Sequence, residues 1–228
     1  MEMNNVVIEF LGHDGFLIEY QNKRIAIDPF KIPKNIIPVD MVLITHSHYD
    51  HCSLEDISKI IKEGTEIVAP IDCQSILNKL DGVLIRIANV GIKMKVLDLN
   101  IYPFPAYNIV KKFHPKEENW MGFIIKLGEV IIYHAGDTDK IPEMDFLPNL
   151  AQEGEDVIAL LPVCGTYTMD VKEAVEAALT IKPSLAIPMH YGLGVVKSVE
   201  EELGDAEKFV SLCKEKWINA NILEKYGN

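Results

Sequence analysis

Long apolar runs are missing from this 228-residue sequence, and no hydrophobic stretch in it is long enough to cross a bilayer. Cysteine is scarce. Cys52, Cys73, Cys164 and Cys213 form no Cys-x-x-Cys pair and stand far apart, a pattern of free thiols in a reducing compartment rather than a disulfide framework. Basic charge is also short. With 22 Lys and Arg against 34 Asp and Glu, the net charge is -12. A broad nucleic-acid footprint needs a basic face, so this balance argues against such a partner and weakens a nuclease reading. The opening Met1-Glu2-Met3-Asn4-Asn5 is acidic and polar, unlike a signal peptide, and the expected location is cytoplasmic. Low-complexity segments, linkers and short repeats are lacking too, so the expectation is a single domain over residues 1–228. That length can bury a substantial core. The 48% apolar and 25% charged fractions are those of an ordinary globular protein.

What is present is concentrated in Thr45-His46-Ser47-His48-Tyr49-Asp50-His51. Three imidazoles and a carboxylate fall within six positions there. The apolar Met41-Val42-Leu43-Ile44 before it reads as a buried strand. Ser53-Leu54-Glu55-Asp56 after it reads as a helix start, with Ser53 as N-cap. The polar cluster therefore sits where a strand hands over to a helix, the edge at which open α/β folds build sites. A single tetrahedral zinc site rarely needs so many donors, whereas two metals a few ångströms apart would use all four.

Along the chain, Val6–Leu11 and Phe16–Tyr20 read as hairpin partners around the turn Gly12-His13-Asp14-Gly15. Lys23–Ile27 is a third strand, ending at Asp28. Helices are expected over Leu54–Lys62 and Asp72–Leu80, with Glu66–Ala69 as the strand between them. Further strands are expected near Val83–Arg86, Met94–Leu97 and Asn100–Tyr102. Gly122–Leu127 and Glu129–His134 form a hairpin around Gly128, and Val157–Leu161 and Leu185–Met189 are later buried strands. Asp170 and Glu173 make a capping box for a helix running to Ile181. Ser198–Lys216 is a closing amphipathic helix. The pattern by itself is mixed α/β.

Seven histidines are present: 13, 46, 48, 51, 114, 134 and 190. His114 lies in Lys112-Phe113-His114-Pro115-Lys116-Glu117-Glu118-Asn119-Trp120, Asp137 in Ala135-Gly136-Asp137-Thr138, and His190 in Pro188-Met189-His190-Tyr191-Gly192. Glycine before Asp137 lets the backbone bend so that the carboxylate can aim inward. Together with the His46–His51 run, these pieces resemble the metallo-β-lactamase superfamily, whose signature is His-x-His-x-Asp-His, over about Val6 to Gly194. Within it the chain is similar to small metal-dependent hydrolases related to ascorbate-6-phosphate lactonases and to N-acyl-phosphatidylethanolamine phospholipase D. In the latter branch a Trp-Gly pair follows the third histidine segment, and here it is broken up as Trp120-Met121-Gly122.

The resemblance implies a four-layer α/β/β/α sandwich and two divalent metal ions, zinc first, with manganese or iron also suited. It places His46, His48 and His114 on one ion, Asp50, His51 and His190 on the other, and Asp137 between them. Asp28 would lie beneath as an outer partner of a ligand, against the alternative of a turn or helix cap. Cys52 follows His51 but is not needed to complete the donor count. The implied activity is hydrolysis of a small-molecule lactone, ester or phosphodiester by a hydroxide held between the metals, with Asp50 as the catalytic proton acceptor. A di-iron redox protein and a non-catalytic binding module are the alternatives on the same fold. In the redox branch the second signature histidine is typically glutamate, and position 48 is histidine. His13 and His134 are left as structural groups, or, for His13, as part of the substrate mouth. Lys111, Lys112 and Lys116 flank His114 as either a solvated surface or contacts to an anionic substrate.

Overall fold

The structure is a computed structural model and describes residues 1–227. One sheet takes β1 (Glu2–Met3), β2 (Val6–Gly12), β3 (Gly15–Tyr20), β4 (Lys23–Ile27), β5 (Met41–Leu43), β6 (Glu66–Ala69) and β7 (Leu84–Ile87), paired in that order. Its first four strands are antiparallel neighbours, and β4 to β7 run parallel. The other sheet is built from β8 (Met94–Val96), β9 (Leu99–Pro105), β10 (Met121–Leu127), β11 (Val130–His134), β12 (Asp156–Pro162) and β13 (Leu185–Met189), in the order β13-β12-β11-β10-β9-β8. There β11, β12 and β13 are parallel. Helices α1 (Leu54–Ile60) and α2 (Gln74–Leu77) belong to the first half, α3 (Val171–Ile181) and α4 (Val199–Glu215) to the second.

Period-two alternation sorts the first sheet's side chains to two faces. Phe16, Ile18, Ile25, Ile27, Met41 and Leu43 join Phe123, Ile125 and Ile132 in the large core between the sheets. Leu17, Ala26, Val42 and Ile67 turn the other way, onto Ile57 and Ile60 of α1 and Leu77 of α2. On the far side, α3 packs on β12 and α4 on β13. The order of layers is helices, sheet, sheet, helices, the α/β/β/α sandwich implied by the resemblance. Among the described residues no helix is long and apolar enough to cross a membrane.

The capping signals place the helices well. Ser53 caps α1 by accepting from the Asp56 N–H at 3.3 Å, and Asp170–Glu173 and Ser198–Glu201 close full capping boxes. The expected helix over 72–80 is the weakest match. It resolves into a 3₁₀ turn over Ile71–Cys73 followed by the single turn of α2. Cys73 offers α2 no side-chain cap, and the chain must turn back at Gly82, where φ is +72°. The expected strand 41–44 ends at Leu43; Ile44 stays buried and its N–H still donates to Val68 O of β6 at 2.9 Å, and the histidine loop begins just after it.

Parallel strands point their carboxyl ends the same way. Asp28 follows β4, His46 lies just beyond β5, Asp137 follows β11 and His190 follows β13. Two backbone features bring the sheet ends together. Gly122 runs against the end of β11 so closely that a Cβ there would sit 2.3 Å from the His134 carbonyl. The β2–β3 turn is stitched to the end of β13, with the His13 N–H donating to Tyr191 O at 2.9 Å and the His190 N–H donating to His13 O at 2.8 Å.

Candidate metal centre

The histidine loop is anchored from below by Asp28. This buried carboxylate accepts from the Thr45 N–H at 2.9 Å and from the Thr45 hydroxyl, and its Oδ2 stands 2.8 Å from His51 Nδ1. Holding Nδ1 leaves His51 Nε2 facing inward. Carboxylates commonly orient metal-bound imidazoles in this way. The Thr45 hydroxyl also lies 2.9 Å from His46 Nδ1, so one Thr-Asp pair sets two rings.

His46, His48 and His114 come together, their candidate donor atoms all within 4.8 Å of one another. His46 Nε2 and His48 Nδ1 are 3.0 Å apart. His114 is held by Asn108, whose Oδ1 accepts from the His114 N–H at 3.0 Å and lies 3.2 Å from its Nδ1. Asn108 is fixed in turn by donating to Asp139 Oδ1 at 3.1 Å and to the Tyr167 carbonyl at 2.9 Å. Trp120 packs on the trio and donates its indole N–H to Asp72 Oδ2 at 2.7 Å.

A second set, His13, Asp50, His51 and His190, meets the same 4.8 Å criterion, as do Asp14, His51, Asp137 and His190. Asp137 reaches both sets. Its Oδ2 is 3.1 Å from His114 Nε2 and 3.2 Å from His190 Nε2, and its Oδ1 is 3.6 Å from His51 Nε2. All seven residues singled out from the sequence (His46, His48, Asp50, His51, His114, Asp137 and His190) therefore face one small volume. His51 Nε2, His114 Nε2 and Asp137 Oδ1 are buried without a hydrogen-bond partner among the described residues. Buried polar atoms are rarely left so. Convergent nitrogen and carboxylate donors of this kind fit divalent cations.

The electrostatics of the metal-free cluster are those of crowded charges in a dry site. Burial and the adjacent His51 hold His46 well below the ordinary imidazole value. Burial opposes charge on His51 and His190 as well, but the acidic groups around them together outweigh it, Asp137 with Asp28 at His51 and Asp137 with Asp14 at His190, and hold both well above that value. Metal ligation requires neutral imidazole, so loading must release these protons and strengthens as pH rises.

Sequence reading missed three contributors. Asn108 carried no signal, because its role depends on a loop closing over His114. His13 is fully buried at the floor, not at the mouth, with Nε2 3.1 Å from Asp50 Oδ2. Burial, then the neighbouring His190, lowers its pKa to about 4. Asp14 was read only as part of a turn, yet its buried side chain points into the cluster. Burial pushes its carboxyl well above the usual carboxylate range. Cys52 is buried among the apolar residues beneath the first sheet and joins none of the donor groups among the described residues.

His134 faces elsewhere. Its Nε2 is 2.9 Å from the Asp14 carbonyl and its Nδ1 accepts from the Gly136 N–H at 3.2 Å. His134→Ala is expected to keep its metal content and to lose stability, about 1–3 kcal/mol for each backbone group left unpaired. His114→Ala is expected to lose metal. Elemental analysis beside thermal melts separates the two, and a His134→Ala protein stripped of metal would reverse the assignment.

A cavity of about 210 Å³ opens over the cluster, lined by His48, Tyr49, Asp50, Phe113, His114, Asp137, Tyr167, His190 and Val195. No lysine or arginine lines it. Lys111 Nζ is 2.8 Å from Asp139 Oδ1, and Lys116 Nζ is 2.9 Å from Glu143 Oε1. These two flanking lysines are engaged with carboxylates away from the cavity.

Residues 7–190 match the β-lactamase superfamily domain. A metal-dependent hydrolase of Pyrococcus furiosus is 37% identical over 221 residues, covering 92% of this chain and 93% of its own length. Among solved structures, a metallo hydrolase from Ignicoccus hospitalis superposes with TM-score 0.75 at 29% identity, over 96% of this chain and 95% of that one. A diiron β-hydroxylase from Streptomyces venezuelae reaches the same TM-score, 0.75, at 16% identity, over 98% of this chain and 53% of its own, a likeness of fold alone.

Proposed function

The chain belongs to the β-lactamase superfamily and is a metal-dependent hydrolase, and from that premise we propose that it hydrolyses a small-molecule lactone, ester or phosphodiester with two divalent metal ions. His46, His48 and His114 would hold one ion, Asp50, His51 and His190 the other, with Asp137 bridging. The donors suit zinc first, and manganese or iron as well. When bound, such a pair lowers the pKa of a shared water toward neutrality and polarises the oxygen under attack.

The protein's own part is positioning and proton transfer. Asp50 lines the cavity and takes the proton released as the water attacks, while His13 fixes the carboxylate by its 3.1 Å contact. Asp28 and Thr45 keep His51 and His46 aimed inward. Tyr49, Phe113, Tyr167 and Val195 form apolar walls that receive an uncharged body. Without a cation in the lining, a neutral ester or lactone suits this cavity better than a phosphorylated metabolite. On this reading the partner is a small molecule, with neither nucleic acid nor membrane involved, and the site of action is the cytoplasm.

The observation that carries the proposal is the convergence of ring nitrogens and carboxylate oxygens on one volume, with His51 Nε2, His114 Nε2 and Asp137 Oδ1 buried there without a hydrogen-bond partner among the described residues. Protein purified without added metal, then reconstituted with zinc or manganese, is expected to bind two ions per chain. It is expected to hydrolyse members of a panel of aryl esters, lactones and phosphodiesters, and to stop when a chelator is added. A stoichiometry that stays near zero after reconstitution would sink the proposal. A di-iron redox centre is the alternative on the same fold. Visible absorption in the freshly purified protein would favour it.

A further inference from the structure

Asp14 lies outside the donor set of the proposed function. Its side chain is fully buried, and neither carboxylate oxygen has a hydrogen-bond partner among the described residues. Oδ2 lies 3.6 Å from His51 Nε2, 3.8 Å from His190 Nε2 and 3.9 Å from His13 Nε2. These separations are too long for hydrogen bonds. They are the separations of atoms that can share a cation, since two donors each about 2.1 Å from one centre stand roughly 3 to 4 Å apart according to the coordination number.

The carboxylate is held where it is. The Asp14 carbonyl is tied to His134 Nε2 at 2.9 Å, and the preceding residue is bonded through both backbone groups to the end of β13. On the other side the chain is tight enough that a Cβ on Gly15 would lie 3.0 Å from the Gly12 carbonyl. Burying a carboxyl group with no hydrogen-bond partner is costly, and a cation shared with His51 and His190 would offset that cost.

We propose that Asp14 is a further ligand of the second metal position, beside His51, His190 and Asp137, and that it makes this position select a harder cation than the first. The inference rests on the two-metal reading above. The first position is three imidazoles and the shared Asp137, a donor set suited to zinc. The second gains a third carboxylate after Asp50 and Asp137, a set suited to manganese or iron(II). With Asp14, Asp50 and Asp137 ionised, three negative charges face the four positive charges of two dications.

The test compares wild type with Asp14→Asn and Asp14→Ala. Each metal-free protein is offered zinc alone, manganese alone and both together, with metal content read by elemental analysis and bound manganese by electron paramagnetic resonance. Given one equivalent of zinc per chain and excess manganese, wild type should take one of each. The variants should keep the zinc and bind manganese about tenfold more weakly or worse, a loss of the size that disturbing a metal's surroundings produces. Thermal melts of the metal-free proteins check folding. Metal-free Asp14→Asn, which keeps the size of the side chain, should melt close to wild type, because no hydrogen bond is removed. Manganese bound by the variants with unchanged affinity overturns the inference and leaves the two-metal reading intact. Metal-free Asp14→Asn that melts well below wild type also overturns it, by showing a structural contact. A wild type that never binds a second ion overturns both.

Discussion

Protein carrying Asp137→Asn is expected to retain far less metal than wild type and to show no measurable hydrolysis, the largest effect of any single change at the site. One carboxylate reaches donors of both proposed positions, through Oδ2 to His114 and His190 at 3.1 and 3.2 Å and through Oδ1 to His51 at 3.6 Å. Asparagine keeps the shape but offers one neutral oxygen in place of two charged ones. It bridges two dications poorly, and it leaves an amide to be satisfied among imidazoles that must stay neutral to ligate. Elemental analysis decides the matter. Two ions per chain in the asparagine variant would remove Asp137 from the bridging role.

Asp50→Asn is expected to separate metal from turnover. Asp50 lines the cavity and is only one donor of its set, so His51, His190 and Asp137 should hold much of the second ion without it. What disappears is the proton acceptor. Burial works against ionising this carboxyl, but its contact with His13 and the nearby His51 outweigh burial and hold it well below the usual range. It is therefore charged and oriented when a proton has to leave the attacking water. General-base contributions are worth roughly a hundred- to ten-thousand-fold, and kcat should fall within that span while metal content changes little. An unchanged turnover number would mean that the proton leaves by another route.

The parts of this site that were legible in the sequence are those made by local geometry. His46, His48, Asp50 and His51 lie in one loop after one strand, so their convergence is a property of six consecutive positions. Asp137 and His190 each follow a strongly apolar strand, and strand ends of parallel sheets collect on one edge. Asp28 looked equally like a cap, and only the 2.8 Å contact to His51 Nδ1 separates the two roles. Asp14 and His13 were unreadable for a different reason. Their inward aim depends on a backbone stitch to Tyr191 and His190 at the far end of the chain, and no periodicity encodes it. The flanking lysines read more readily as a solvated surface than as contacts to a substrate. Proximity in sequence to His114 said nothing of Asp139 and Glu143, which hold Lys111 and Lys116 away from the cavity. Alternation in β2 to β5 and the capping boxes of α3 and α4 made mixed α/β legible, and the four layers came from the resemblance to the superfamily. The short α2 was not legible, because the turn at Gly82 overrides a weak helical preference.

The packing of Trp120 on the first histidine trio has an optical consequence. The chain has two tryptophans. Trp217 is 94% exposed and emits as an indole in water does, whatever happens at the centre. Trp120 is 9% exposed, and its ring centroid lies 4.9 Å from that of His46 and 4.8 Å from that of His48. A cation arriving on those imidazoles changes the field and the quenching around one indole and not the other. The blue edge of the fluorescence spectrum is then a built-in gauge of occupancy at the first position, blind to the second, and the order in which the two positions fill becomes a matter of watching the light.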